Sequence, residues 1–140
     1  MKETIGMLAP ASLVIPFIDT NAAYREPAAP DDTENLLDLG QMLQPHPGNS
    51  SMLQIKGDSM QDANMPHGSW AVVDRITKPS SGSIVVAMLD NELTVKRLVK
   101  AGRNWVLHPE NAFYKPVIIT EEMDFRVLGV ITHVIVDMRK

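Results

Sequence analysis

Ser83-Ile84-Val85-Val86-Ala87-Met88-Leu89-Asp90-Asn91-Glu92-Leu93-Thr94-Val95-Lys96-Arg97-Leu98-Val99 sets two Val/Ile/Leu-rich runs on either side of a polar pair. The composition of both runs predicts strands, and Asp90-Asn91 suits a two-residue hairpin between them. Such a loop needs positive φ, which Asn accepts almost as well as Gly. Alternation along the second run puts Leu93, Val95, Arg97 and Val99 on one face, and Thr94, Lys96 and Leu98 on the other.

Outward from this hairpin the same texture repeats. Short β-rich runs are expected at Ser51–Lys56, Trp70–Asp74, Asn104–Leu107, Val117–Ile119 and Phe125–Met138, punctuated by Gly57, Gly68, Gly82, Gly102 and Pro116. Leu36–Leu43 reads as one or two helical turns stopped by Pro45 and Pro47. Residues 36–140 are therefore expected to form a mostly-β body.

Residues 1–35 have a different character. Residues 1–58 carry three Lys/Arg against eight Asp/Glu, a net of −5, whereas residues 59–140 carry a net of +1. Pro27, Pro30 and six acids between Asp19 and Asp38 leave little to bury and no helix to propagate. An extended arm is expected over 1–35. Its apolar piece, Leu13 to Ile18, suits an edge strand, where proline is tolerated.

Composition excludes several classes. With 44% apolar residues the 140-residue chain has enough for a core, so wholesale disorder is out. A net charge of −4 argues against a dedicated nucleic-acid binder. The absence of cysteine removes disulfides, thiol nucleophiles and Cys-based zinc sites, and fits a cytoplasmic protein. Lys2 is followed at once by Glu3, and Pro10 and Pro16 break the apolar stretch behind them, which argues against a secretory signal. No apolar run is long enough for a spanning helix. His46, His67, His108 and His133 show no metal-ligand spacing and read as turn and strand histidines; neither metal nor cofactor is expected.

Gly57-Asp58-Ser59-Met60 is the segment with chemical interest. A serine in a tight turn directly after a strand lifts a hydroxyl out of the sheet and leaves the next amides facing open space, as acyl transfer requires. The candidate base is Lys96, with Thr94 on the same face to hold the amine. A solvated lysine is neutral only about 0.04% of the time at pH 7, but burial favours the neutral form. On the residues alone, a turn serine and an exposed edge-strand lysine are the plainer readings.

Taken in order, these segments resemble the Ser-Lys peptidase domain of the LexA/UmuD family, particularly its short UmuD-type members. The resemblance runs over residues 13–140. It rests on Leu37-Asp38-Leu39-Gly40-Gln41-Met42-Leu43 with His46-Pro47, on Gly57-Asp58-Ser59-Met60, and on Gly68 with Val73-Asp74. It continues through Thr94-Val95-Lys96 with Leu98 to Phe125-Arg126-Val127-Leu128-Gly129-Val130-Ile131-Thr132-His133-Val134.

The resemblance implies a mostly-β body with a strongly bent sheet. It implies a Ser59 nucleophile, Lys96 as general base, and an oxyanion held by the amides of Ser59 and Met60. The reaction it implies is self-cleavage of the arm in the SOS response to DNA damage, promoted by a RecA–single-stranded-DNA filament. The product would be a homodimer serving a UmuC-type translesion polymerase. The expected bond is Ala23-Tyr24, where Tyr24 stands in place of the family's usual glycine. Ahead of Ser59 no recognition helix is found, so sequence-specific DNA binding is not expected, nor is a membrane partner. Two alternatives are a non-cleaving partner of RecA or a polymerase with the dyad idle, and a type I signal peptidase, which shares Ser59-Met60 and Lys96-Arg97.

Overall fold

A computed structural model describes residues 13–17 and 36–139. Ala23 and Tyr24, the expected cleavage bond, lie outside the described residues. The chain divides into two compact units, Met1–Leu43 and Gln44–Lys140.

In the first unit, β1 (Val14–Pro16) pairs antiparallel with β2 (Leu36–Asp38), Ile15 opposite Leu37. The short helix α1 (Leu39–Leu43) follows directly. Leu36–Leu43 is expected to be helical throughout; its first three residues are instead a strand, because Val14–Pro16 supplies a pairing partner. The helix begins where Asp38 Oδ1 accepts the Gln41 amide at 3.2 Å, an N-cap bond. The Leu39 amide donates to the Leu13 carbonyl at 2.8 Å.

The second unit is one seven-stranded sheet, ordered β3-β4-β9-β5-β6-β7-β8, with antiparallel pairing throughout. Its strands are β3 (Ser50–Gln54), β4 (Trp70–Asp74), β5 (Ile84–Leu89), β6 (Glu92–Ala101), β7 (Asn104–His108), β8 (Val117–Ile118) and β9 (Phe125–Ile135). Asp90 and Asn91 take φ of 49° and 70°, and Leu89 faces Glu92 across them, which is the hairpin expected. β9 ends at Ile135 and not at Met138, because its partner β4 begins at Trp70, opposite Ile135.

Burial follows the pleat. Val85 and Ala87 of β5 join Leu98, Leu107 and Val130 in one cluster, while Ile84, Val95 and Ile131, of opposite parity, pack on a second built from Ile55, Met60, Met65 and Ala71. Both faces of the sheet thus carry buried residues. Each fully buried Leu, Val or Met contributes on the order of 1.5–3 kcal/mol.

β9 carries two extra residues. Val86 faces Gly129 but Ala87 faces Val127, leaving Leu128 over; Val72 faces His133 but Val73 faces Ile131, leaving Thr132 over. Bulges of this kind bend a strand and add twist. Gly129 lies between them, where an added Cβ would stand 2.6 Å from Val73 Cγ1. The mostly-β antiparallel architecture agrees with the fold class implied by the resemblance.

Candidate active site

β3 delivers the chain to the serine. Its pairing with β4 runs one residue past Gln54, through Ile55 N–H to the Ser69 carbonyl and Gly68 N–H to the Ile55 carbonyl, both at 2.8 Å. Gly57 then turns the backbone at φ 85°, a region open to glycine at no steric cost. Asp58 and Ser59 follow, and Gln61–Ala63 closes the segment as a single 3-10 turn ending in Asn64 at φ 62°. Met60 is buried to 2% exposure in the second core cluster and anchors the segment from below.

β6 brings the lysine. β7 pairs with β6 only from Arg97 onward, so one edge of Glu92–Lys96 has no strand partner among the described residues. Beside that edge lies a cleft of about 220 Å³ lined by Leu53–Lys56, Leu93–Lys96, Ser59 and Met60. Lys96 Nζ donates to Ser59 Oγ at 3.2 Å, to Thr94 Oγ1 at 3.0 Å and to the Val95 carbonyl at 3.1 Å. Burial holds its pKa below the ordinary 10.5, since desolvation penalises the charged form. The structure therefore gathers Ser59, Met60, Thr94 and Lys96 into one place.

The three contacts of Nζ have a chemical consequence. An ammonium satisfies all of them as a donor. A neutral amine keeps two hydrogens, for Thr94 Oγ1 and the Val95 carbonyl, and turns its lone pair toward the Ser59 hydroxyl. Among the described residues, the amides of Ser59 and Met60 donate to no protein acceptor. A carbonyl oxygen beside Ser59 would find both donors unoccupied.

A second group of residues, absent from the sequence reading, braces the serine from the β7–β8 loop. Glu110 N–H donates to the Ser59 carbonyl at 2.8 Å, and Asp62 N–H donates to the Glu110 carbonyl at 2.8 Å. Asn111 Nδ2 donates to the Asp58 carbonyl at 2.8 Å, and the Tyr114 hydroxyl donates to Asp58 Oδ1. That bond to Asp58 is the main reason the Tyr114 pKa stands above its ordinary value, followed by the carboxylate's charge and burial. Arg97 Nε binds the Glu110 carboxylate, and Arg97 Nη1 donates to the Gly82 carbonyl at 2.6 Å. The residue next to Lys96 thus fastens the loop that holds Ser59. The one available signal was a polar stretch, Glu110-Asn111, confined between Pro109 and Pro116.

The histidines have polar partners. His46 Nδ1 lies 2.8 Å from Asp74 Oδ2, and Asp74 is fully buried. The Thr77 hydroxyl donates to the same oxygen, while the amides of Ile76 and Thr77 donate to the carboxylate at 3.3 Å. Thr77 foremost, with His46 and the Ile76 amide, outweighs burial and brings the Asp74 pKa to about 2. His67 Nδ1 accepts the Gly57 amide at 2.8 Å. Among the described residues no cluster of His, Cys, Asp and Glu is fit to hold a metal ion, and no helix is long and apolar enough to cross a membrane.

Comparison with known proteins identifies relatives of the chain. The LexA repressor of Arthrobacter sp. (strain FB24) is 37% identical over 124 residues, covering 83% of this chain and 49% of the repressor. Protein ImpA of Salmonella typhimurium is 38% identical over 122 residues, 81% of this chain and 77% of that protein. The LexA repressor of Magnetococcus marinus is 44% identical over 77 residues, 55% of this chain and 33% of the repressor. The chain spans half or less of the length of these repressors. Residues 16–132 match the Peptidase S24-like family as a continuous span that includes Ser59, Lys96 and both core clusters. The chain belongs to the Peptidase S24-like family.

Proposed function

We propose that this chain is a self-cleaving SOS-response protein of the UmuD type, in which Ser59 and Lys96 cut the chain's own arm at Ala23-Tyr24. The observation that carries the reading is the 3.2 Å approach of Lys96 Nζ to Ser59 Oγ, with the amine held on its other sides by Thr94 and the Val95 carbonyl. Membership of the Peptidase S24-like family supports autoproteolysis in general. The UmuD-type assignment draws on the match to ImpA, which extends over 77% of that protein.

The chemistry follows from the site. Neutral Lys96 takes the Ser59 proton as Oγ attacks the Ala23 carbonyl, and the amides of Ser59 and Met60 hold the negative oxygen. The Lys96 ammonium returns the proton to the departing amine of Tyr24, leaving an acyl ester on Ser59. A water molecule, deprotonated by the same lysine, then releases it. A RecA–single-stranded-DNA filament promotes the reaction, and the shortened homodimer serves a UmuC-type polymerase.

The test is incubation of the purified chain near pH 7 and near pH 10, with and without a RecA filament, and weighing of the products by mass spectrometry. A fragment beginning at Tyr24 is expected, absent in Ser59→Ala and in Lys96→Ala. Its rate rises with pH while Lys96 loses its proton and levels off below pH 10.5, because burial lowers that pKa. A rate still climbing beyond that point excludes a buried lysine as base. Tyr24 in place of glycine favours a second reading, a non-cleaving RecA or polymerase partner with an idle dyad. A chain intact under all four conditions selects it.

A further inference from the structure

The turn that carries Ser59 is fastened unequally at its two ends. At its exit the main chain is held several times over: Glu110 N–H on the Ser59 carbonyl at 2.8 Å, with Gln61 N–H at 3.1 Å and Asn111 Nδ2 at 2.8 Å on the Asp58 carbonyl. At its entry the β3–β4 ladder has already ended at Ile55, and Gly57 has no side chain to pack. An added Cβ at Gly57 would meet nothing within 4 Å. Among the described residues, the one bond made by the Gly57 amide is to a side chain, His67 Nδ1, at 2.8 Å.

We infer that His67 is a positioning residue for the nucleophile: by accepting the Gly57 amide, its ring fixes the entry of the turn and so the place of Ser59 Oγ. The inference rests on the self-cleavage reading above. Gly57 is the free pivot between the paired strand and the serine two residues on. Ser59 Oγ meets Lys96 Nζ at 3.2 Å, the outer edge of good hydrogen-bond range, so a swing at the pivot breaks proton transfer before it disturbs the fold.

The bond also fixes the form of the ring. Nδ1 accepts only while it carries no hydrogen, so the neutral imidazole has its proton on Nε2. A proton added to Nδ1 would face the Gly57 N–H and release the turn. The charged groups around this contact are Lys56 and Asp58, which flank Gly57, and Asp137 and Arg139, which line with His67 a cavity of about 440 Å³. Asp137 and Arg139 bind each other at 2.8 Å and neutralise one another there.

Two measurements test the assignment. In the Ser59→Ala chain, which stays whole, the Gly57 amide proton resonance is followed while the His67 ring is titrated, and the two are expected to move together. Self-cleavage rates near pH 10 are then compared for the parent chain, His67→Ala and His67→Asn. Alanine is expected to slow the reaction about five-fold, the worth of one ordinary hydrogen bond. Asparagine is expected to restore it, since its Oδ1 stands where Nδ1 stood and accepts without titrating.

A His67→Ala chain as fast as the parent, an asparagine variant as slow as alanine, or a Gly57 resonance indifferent to the ring overturns the role of His67 alone. A parent chain that never cuts overturns self-cleavage and this inference together.

Discussion

Gly129→Ala probes the crossing of β4, β9 and β5. The new methyl group would sit 2.6 Å from Val73 Cγ1 and 3.0 Å from the Asp74 carbonyl oxygen. Carbon atoms pack at roughly 3.5–4.0 Å, so the first contact is short by about 1 Å. Neither neighbour yields readily. Val73 is 6% exposed and branched at Cβ, which leaves its χ1 few alternatives. The Asp74 carbonyl belongs to a strand paired on both sides, with Ser50 and with Val130.

Overpacking of this kind costs about 1–3 kcal/mol, and replacing glycine returns about 0.4–1 kcal/mol by restricting the unfolded chain. The net is a loss of about 1–2 kcal/mol, or a fall in Tm of about 5–15 °C for a domain of this size. Urea and thermal unfolding followed by circular dichroism measure it. Adding Val73→Ala removes the worse contact, so the pair of changes should cost about 1 kcal/mol less than the sum of the single ones. An unchanged or raised Tm for Gly129→Ala would refute the claim that β4 and β9 meet too closely for a side chain.

Three further outcomes are expected. Asp74, held at a pKa of about 2 by Thr77 and His46 against an ordinary 3.8, adds stability that is present above pH 3.8 and lost as the pH falls toward 2. Thr77→Val should lower stability at neutral pH and flatten that acid decline, which urea titrations at stepped pH will read; an unaltered decline sinks the assignment. The Tyr114 phenol should titrate above its ordinary 10 and move back toward it in Asp58→Asn, as phenolate absorbance referenced to Tyr114→Phe will show. Asn91→Gly should leave the hairpin as stable as before, whereas Asn91→Val should cost about 1–2 kcal/mol, since a β-branched residue resists the φ of 70° found there. Equal stabilities for the two would count against that turn.

The β5–β6 hairpin was legible because both its signals are local: β-branched runs, and two residues that tolerate positive φ. The joint placing of Thr94 and Lys96 followed from strand parity alone. Leu36–Asp38 was misread because its pairing partner lies across the acidic arm, and an isolated Leu-Leu-Asp cannot announce which it will choose. The brace from Glu110, Asn111 and Tyr114 was invisible for a related reason. The Glu110 amide reaches Ser59, and the Asn111 and Tyr114 side chains reach Asp58, only through the folding back of the loop after β7, and no periodicity reports that. His67 was hidden because a histidine beside a glycine reads as an ordinary turn residue until the acceptor role of its Nδ1 is seen.

Those long spans also impose an order in time. The serine is 37 residues from its lysine, while Asp58 beside it is 53 residues from Asn111 and 56 from Tyr114. At roughly 5–20 residues per second of synthesis, the last of these arrives about 3–11 seconds after the nucleophile turn has left the ribosome's active centre. Until then the turn lacks that fastening, although residues 1–35, made before it, are already present. If the chain cuts itself as proposed, synthesis itself delays the reaction, because the lysine and the brace that complete the site are both made after the serine.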